Sequence, residues 1–234
     1  AEVRDAELNV LGKFGSGIEF ESIDPWTARL DLMQNELDIS SASWTVSTWF
    51  ETPIINDGVF FRHSLFYGDP GEVYMKKQSS APTTKLLGIY DGADNLTSFD
   101  VNSLSSGWHH LAVSSQVGVT RFYVDGSMVG SINDHMLLEI ETVGNAHGNG
   151  KFSSKLDDFR VYDRTFSAYE VSVLYGNGDG DFGVHPYSDF PPSFDNVPVI
   201  LPPRNPIVFW TFNELNGTQI RDDSGNDNHG LWDD

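Results

Sequence analysis

The segment Ser43-Trp-Thr-Val-Ser-Thr-Trp-Phe50 alternates Trp44, Val46, Thr48 and Phe50 on one face with Thr45, Ser47 and Trp49 on the other. That is the period of an extended strand, and aromatics on both faces suit a strand inside a two-layer sandwich. The same grammar recurs along the chain. Trp108 to Gly130 carries Leu111/Val113, a break at Gln116 to Gly118, Phe122/Val124, and then Asp125-Gly126 before Met128. An Asp-Gly pair between two alternating runs predicts a two-residue type I′ hairpin. Leu156 to Tyr162 is a further strand. Helical periodicity is confined to one short stretch, Ser167 to Leu174, where Ser167 and Glu170 have the spacing of a capping box. The pattern predicts an all-β chain, a two-layer antiparallel β-sandwich.

Charge narrows the partners. Against 14 Lys+Arg stand 34 Asp+Glu, a formal net charge of -20 in 234 residues. A chain this acidic repels phosphate backbones and anionic headgroups, so no nucleic-acid partner and no membrane docking is expected. No apolar run is long enough to span a bilayer. The absence of cysteine removes disulfides, thiolate zinc sites and thiol nucleophiles together. Ala1 in place of an initiator methionine suggests a processed start.

Composition changes after Gly183. Pro186, Pro191, Pro192, Pro198, Pro202, Pro203 and Pro206 crowd one stretch, and residues 184–206 read as a semi-rigid linker that would reach about 70 Å as polyproline II. Beyond it a fresh strand pattern, Val208-Phe-Trp-Thr-Phe212, runs into an Asn/Asp/Gly loop ending near Gly230. Three units are expected: a sandwich over 1–183, the linker over 184–206, and a strand with its loop over 207–234.

Four stretches resemble the LamG-like (laminin G, concanavalin A-type) jelly-roll modules of bacterial extracellular proteins. They are Gly12-Lys-Phe-Gly-Ser-Gly-Ile-Glu-Phe20, Ser43 to Trp49, Trp108-His-His-Leu-Ala-Val113 with Arg121-Phe-Tyr-Val-Asp-Gly126, and Leu156-Asp-Asp-Phe-Arg-Val-Tyr-Asp-Arg164. One departure matters as much as the matches. Modules of this kind begin with W-x-F-x-E and a D-x-S-G-N-x-N-H-G loop, and nothing similar precedes Gly12. The pattern stands at the far end instead, as Trp210-Thr-Phe-Asn-Glu214 and Asp222-Asp-Ser-Gly-Asn-Asp-Asn-His-Gly230. The chain looks like one repeat period cut after its first strand, with three readings: the start of a second module, a circular permutation that completes its own sandwich, or donation of the tail to a neighbouring copy. Donation is favoured, because a sandwich lacking a strand leaves an apolar groove and an unpaired edge, which folded chains rarely leave open. Val208, Trp210 and Phe212 would fill the groove, and such a head-to-tail contact need not close, so copies would form a fibre.

Two acidic segments are the candidate metal ligands: Asp157 and Asp158, and Asp222, Asp223, Asn226 and Asn228 in the terminal loop. Such loops supply the hard oxygens calcium takes, although the same residues also make plain turns. Strand parity puts Asp157 with Phe159 and Val161, facing inward. The resemblance implies calcium near both segments. Carbohydrate is the second partner expected, with Trp26, Tyr67, Tyr74 and Tyr90 in loop-like or edge-like stretches where a ring could stack on a sugar. The sequons at Asn95 and Asn216 would carry covalent glycans. No catalysis is expected: laminarinase-type relatives use E-x-D-x-x-E, and Glu36-Leu-Asp38-Ile-Ser-Ser41 lacks the second glutamate. His109 and His110 are adjacent on a strand and face opposite sides, so they cannot share one ion. The function expected is an extracellular structural or adhesive repeat joined head to tail, with a calcium-dependent carbohydrate-binding module as the alternative.

Overall fold

The computed structural model describes residues 6–20, 29–32, 37–39, 43–54, 58–62, 72–134, 138–140, 142–144, 154–176, 206–214 and 219–231. In chain order the elements are β1 (Ala6–Leu11), β2 (Ser16–Phe20), β3 (Arg29–Leu32), β4 (Leu37–Ile39), β5 (Ser43–Thr52), β6 (Gly58–Arg62), β7 (Glu72–Gln78), β8 (Ala81–Tyr90), β9 (Asp94–Asp100) and β10 (Gly107–Gln116). They continue with β11 (Val119–Val124), β12 (Ser127–Ile132), β13 (Leu138–Ile140), β14 (Thr142–Gly144), β15 (Ser154–Tyr162), α1 (Ala168–Gly176), β16 (Val208–Trp210), β17 (Gln219–Ile220) and β18 (Gly230–Leu231).

Among the described residues these form two large antiparallel sheets and a small pair, β13 with β4. The first sheet runs β1-β2-β15-β5-β10-β11-β12, with β16 beside β15. The second runs β17-β18-β3-β14-β6-β7-β8-β9. Their inner faces interdigitate in one apolar core that joins Trp44, Val46, Phe50, Leu111, Val113 and Phe122 of the first sheet to Leu30, Phe60, Val73, Met75 and Leu87 of the second. Phe50 and Phe60 meet edge to face across the layers at 5.3 Å. The chain forms the all-β two-layer sandwich expected from the alternation, in the jelly-roll form that the resemblance implies.

Local signals hold where they are strong. Asp125 (φ 49) and Gly126 (φ 75) make the two-residue turn between β11 and β12, both in the left-handed region that a type I′ turn requires. The Ser167 N–H donates to Glu170 Oε2 at 2.8 Å and the Glu170 N–H returns to Ser167 Oγ at 3.3 Å, which closes the capping box at the start of α1. The helix lies on the outer face of the first sheet, where Phe166, Val171 and Leu174 cover Ala112, Tyr123 and Tyr162.

The tail closes one side of both sheets. β16 pairs with β15 through Phe159↔Trp210, Arg160↔Phe209 and Val161↔Val208, end to end with β2, which takes the Ser154–Leu156 half of the same edge. β18 pairs with β3 in the second sheet. Val208, Trp210, Phe212 and Ile220 are all buried in the shared core. In this structure the tail therefore fills the seat in its own sandwich, the permuted arrangement, whereas the sequence reading favoured donation. It also does more than that reading allowed. Two short ladders, one in each sheet, replace the single internal strand expected, because β2 already occupies half of the β15 edge.

One expectation is overturned. Asp157 does not point into the core. The β15–β5 register shifts between Asp157 and Arg160, and Asp158 adopts φ 56. This bulge inserts an extra residue and resets the alternation, so that Asp157 stands opposite Trp49 on the outer face while Phe159 and Val161 keep the core.

Candidate functional site

Two places on the sandwich carry chemistry that the core does not need. The first is on the outer face of the second sheet, where the register Glu72↔Tyr90, Tyr74↔Gly88, Gly88↔Leu96 and Tyr90↔Asp94 sets two tyrosines from β7 and β8 side by side. Their rings meet edge to face at 6.5 Å, with Leu96 packed against them. The Tyr74 hydroxyl and the Lys76 ammonium both donate to the Asp94 carboxylate. Burial alone would raise the Asp94 carboxyl, but the hydrogen bonds from Lys76 and Tyr74 outweigh it and hold the group below the usual carboxylate range. Tyr74 is buried, 8% exposed, and acts as the backing of the patch. Tyr90, Lys76 and Asp94 remain partly open to solvent.

Of the four rings named for sugar stacking, the structure thus brings Tyr74 and Tyr90 together. Trp26 and Tyr67 lie outside the described residues. Asp94 and Lys76 were missed, although Lys76 shares strand parity with Tyr74 and Asp94 directly follows the turn after Tyr90. Of the sequons, Asn95 sits within β9, its side-chain amide donating to Asp134 at 3.3 Å, and the Thr97 hydroxyl is taken by the Leu87 carbonyl at 2.8 Å. Asn216 lies outside the described residues.

The second place is the outer face of the first sheet at the Asp157 bulge. A cross-strand row runs His110–Trp49–Asp157 over β10, β5 and β15. The β1–β2 turn folds down on it: the Phe14 N–H donates to Asp157 Oδ2 at 2.8 Å, and a Cβ on Gly12 would lie 2.7 Å from that oxygen, so only glycine allows this approach. Phe14 meets Trp49 edge on at 5.6 Å, Tyr175 stacks on it at 5.7 Å, and the Lys13 ammonium sits 4.5 Å from the ring. Under this cover Asp157 Oδ1 and His110 Nδ1 have no hydrogen-bond partner. Burial pushes the Asp157 carboxyl up to about 7, opposed by the Phe14 N–H and reinforced by the Asp158 charge. Burial, with the Arg160 charge nearby, holds the His110 imidazole down at about 3. His109 turns to the other side of the strand, its Nδ1 2.7 Å from Asp125.

The other candidate ligands are occupied by the protein itself. Asp158 holds Arg160 through Nε at 3.2 Å and Nη2 at 2.9 Å. Asp222 accepts four hydrogen bonds, one from β16 and three from its own loop: Phe209 N–H and Ser224 N–H on Oδ1 at 2.8 and 3.0 Å, Ser224 Oγ and Asn228 N–H on Oδ2 at 2.7 and 2.9 Å. Asp223 takes the Thr211 hydroxyl at 3.2 Å and faces Arg221. The Asn226 and Asn228 amides donate to the Ile207 carbonyl at 3.4 and 2.8 Å. Among the described residues no three His, Asp or Glu side chains gather in a metal-binding group. The two acidic segments serve different neighbours, Asp157 the 12–16 turn and Asp222 the tail loop.

Solved structures share the fold of the sandwich at low sequence identity. It superposes on the binding domain of Paraclostridial Mosquitocidal Protein 1 with a TM-score of 0.55 at 15% identity, covering 76% of this chain and 47% of that one. A putative carbohydrate binding protein from Bacteroides ovatus matches with a TM-score of 0.55 at 13% identity over 87% and 55% of the two chains. The heptameric SAP-like pentraxin of Limulus polyphemus gives 0.50 at 19% identity over 75% and 83%. The chain spans about half the length of the first two. No curated protein sequence matches it. A family model described as the concanavalin A-like lectin/glucanases superfamily, of the laminin G type, matches residues 27–172. The match covers more than half of the chain and coincides with the jelly-roll sandwich, so the chain belongs to the concanavalin A-like lectin/glucanase superfamily.

Proposed function

We propose that the protein is an extracellular, non-enzymatic glycan-binding module whose copies, joined head to tail, present one sugar-binding face repeatedly. The observation that carries the binding half is the Tyr74–Tyr90–Asp94–Lys76 patch on the outer face of the second sheet. An aromatic ring takes the C–H face of a pyranose, and an adjacent ionised carboxylate with an ammonium fixes its hydroxyls. The likeness to a carbohydrate binding protein supports the same reading. The net charge of -20 selects among sugars, favouring neutral glycans over sulfated or uronate-rich ones. Repetition along an array adds avidity of about 10²–10⁴ without any new contact.

Tyr90→Ala is expected to weaken binding to a neutral polysaccharide about tenfold, the effect of losing one central ring, roughly 1.4 kcal/mol. Affinity electrophoresis against a polysaccharide panel reads it. Equal retardation of the parent and the variant, or retardation of neither by any neutral glycan, would overturn the assignment.

Calcium belongs to this reading at Asp157, the one candidate carboxylate with a buried oxygen left without a partner. A hard cation there would take that oxygen together with backbone carbonyls and water, and its charge would keep the carboxylate ionised at neutral pH.

A further inference from the structure

The Asp94 carboxylate on the outer face of the second sheet is held from one side only. β8 runs between Tyr74 on β7 and Asp94 on β9, and the residue of β8 beside Tyr74 is Gly88. A Cβ on Gly88 would lie 2.3 Å from the Asn95 carbonyl oxygen and 2.8 Å from Leu96 Cδ2, so the middle strand carries no side chain there. Tyr74 and Lys76 reach over β8, the hydroxyl donating to Asp94 Oδ1 and the ammonium to Oδ2. A carboxylate accepts about four hydrogen bonds, two on each oxygen. The protein supplies one to each, and among the described residues no other side chain bonds either oxygen. The Asp94 side chain is 36% exposed, so one acceptor position on each oxygen stays open to a ligand.

Tyr90 stands next to this carboxylate. The two are direct partners across the β8–β9 ladder, which puts their Cβ atoms about 5 Å apart, within the width of one pyranose. Tyr74 backs the Tyr90 ring edge to face. A single sugar laid on Tyr90 thus has the hydroxyls of one edge at Asp94.

We propose that this patch selects glycans by linkage: it takes a neutral pyranose with two free hydroxyls on adjacent carbons, one donated to each oxygen of Asp94. This rests on the glycan-binding reading above and adds the class of sugar to it. Adjacent gauche hydroxyls present two donors at the spacing of the carboxylate oxygens, the fork geometry that makes bidentate pairs strong and selective. Hydroxyls separated by a third carbon diverge and leave one oxygen unmatched. Free adjacent pairs occur on every residue of a 1,4- or 1,6-linked hexopyranose chain. An internal residue of a 1,3-linked chain has none, because O3 carries the next sugar while O2 and O4 are not neighbours. Asp94 is the specificity-determining residue, and Tyr90 is a platform that takes the C–H face of either chain.

The test is affinity electrophoresis of the full chain in gels containing a 1,6-linked glucan (dextran), a 1,4-linked glucomannan or a soluble 1,3-linked glucan. At least one of the first two should bind about tenfold more tightly than the third, the effect of losing one hydrogen bond to a charged group. Asp94→Asn, which keeps one acceptor oxygen in place of two, should lose that preference. Deoxy derivatives of methyl glucoside, used as competitors, need no variant. The 3-deoxy sugar has no adjacent pair and should compete about tenfold more weakly than the parent glucoside, whereas the 2-deoxy or the 4-deoxy sugar should compete like the parent. Equal binding of all three polymers, a 3-deoxy sugar that competes like the parent glucoside, or an unchanged preference in Asp94→Asn overturns the proposal. If binding without linkage preference is still weakened by Tyr90→Ala, selection by Asp94 is wrong and the glycan-binding reading stands. Retardation by none of the polymers overturns both.

Discussion

Replacing Trp210 with alanine is expected to remove about 4 kcal/mol of stability, the middle of the range for loss of a core aromatic. The ring is 0% exposed, stacks on Phe159 at 5.6 Å and lies 6.5 Å from Phe212. Its N–H satisfies the Asn228 carbonyl, so alanine leaves both a cavity and an unpaired acceptor. Whole domains are stabilised by only about 5–15 kcal/mol, so this one change removes a large share. The measurement is equilibrium urea unfolding, with Met128→Ala as the comparison. Met128 is 58% exposed, and its loss should stay within about 0.5 kcal/mol. If Trp210→Ala unfolds at the midpoint of the parent, the tail is an appendage and not part of the core.

The second large effect is on pH. In the unfolded chain the Asp157 carboxyl loses its proton near the ordinary 3.8, while in the fold it keeps it to about 7. Between those values the folded state binds the extra proton, so stability falls as pH rises from about 4 to about 7. The integrated cost is on the order of 4 kcal/mol. His110 works in the opposite direction. Unfolded it is protonated below its ordinary 6.5, whereas the folded imidazole stays neutral to about 3, so its contribution is lost as pH falls through that window. The two slopes oppose each other where they overlap, between about 4 and 6.5. Asp157→Asn keeps an oxygen to accept the Phe14 N–H but cannot ionise. In chelator the variant should exceed the parent in stability at pH 8 by a few kcal/mol and match it near pH 4. Saturating calcium should raise the melting temperature of the parent and leave that of the variant unchanged. Equal unfolding free energies of the two at pH 8 in chelator would mean that the carboxylate is not buried as described, and an unshifted parent would remove calcium from the site.

What the sequence could disclose follows from how local each feature is. The Asp125-Gly126 turn and the Ser167–Glu170 box depend on residues within three positions of one another, and both formed as read. The strand at Ser43 to Phe50 was legible because its alternation is unbroken over eight residues. The bulge at Asp157-Asp158 was not, since period-2 counting assumes a regular strand and nothing in two adjacent aspartates announces that one will turn to φ 56. The bulge becomes intelligible only with Arg160 paired to Asp158 and the Gly12 turn folded onto Asp157. The tyrosine patch shows the same limit. Tyr74 and Tyr90 meet because β7 and β8 pair in one particular register, with a shift at Lys77/Gln78, and register belongs to the turn and sheet rather than to either tyrosine. The displaced W-x-F-x-E strand was legible as a motif that would fill an apolar groove, while its pairing with β15 came only with the structure. So did its division between two sheets, because that depends on β2 already holding half of the edge.

The closure of the sandwich depends on the tail strands β16 and β18 being one cooperative piece with it, whichever copy supplies them. Native-state hydrogen exchange on the full chain measures that directly. The amides of Ile207, bonded to Val161, and Phe209, bonded to Asp222, should exchange only through global opening, with the same free energy as amides in β5 and β10. Exchange of Ile207 and Phe209 at a far lower free energy, while β5 and β10 stay protected, would mean that the tail releases on its own and that the sandwich stands without it.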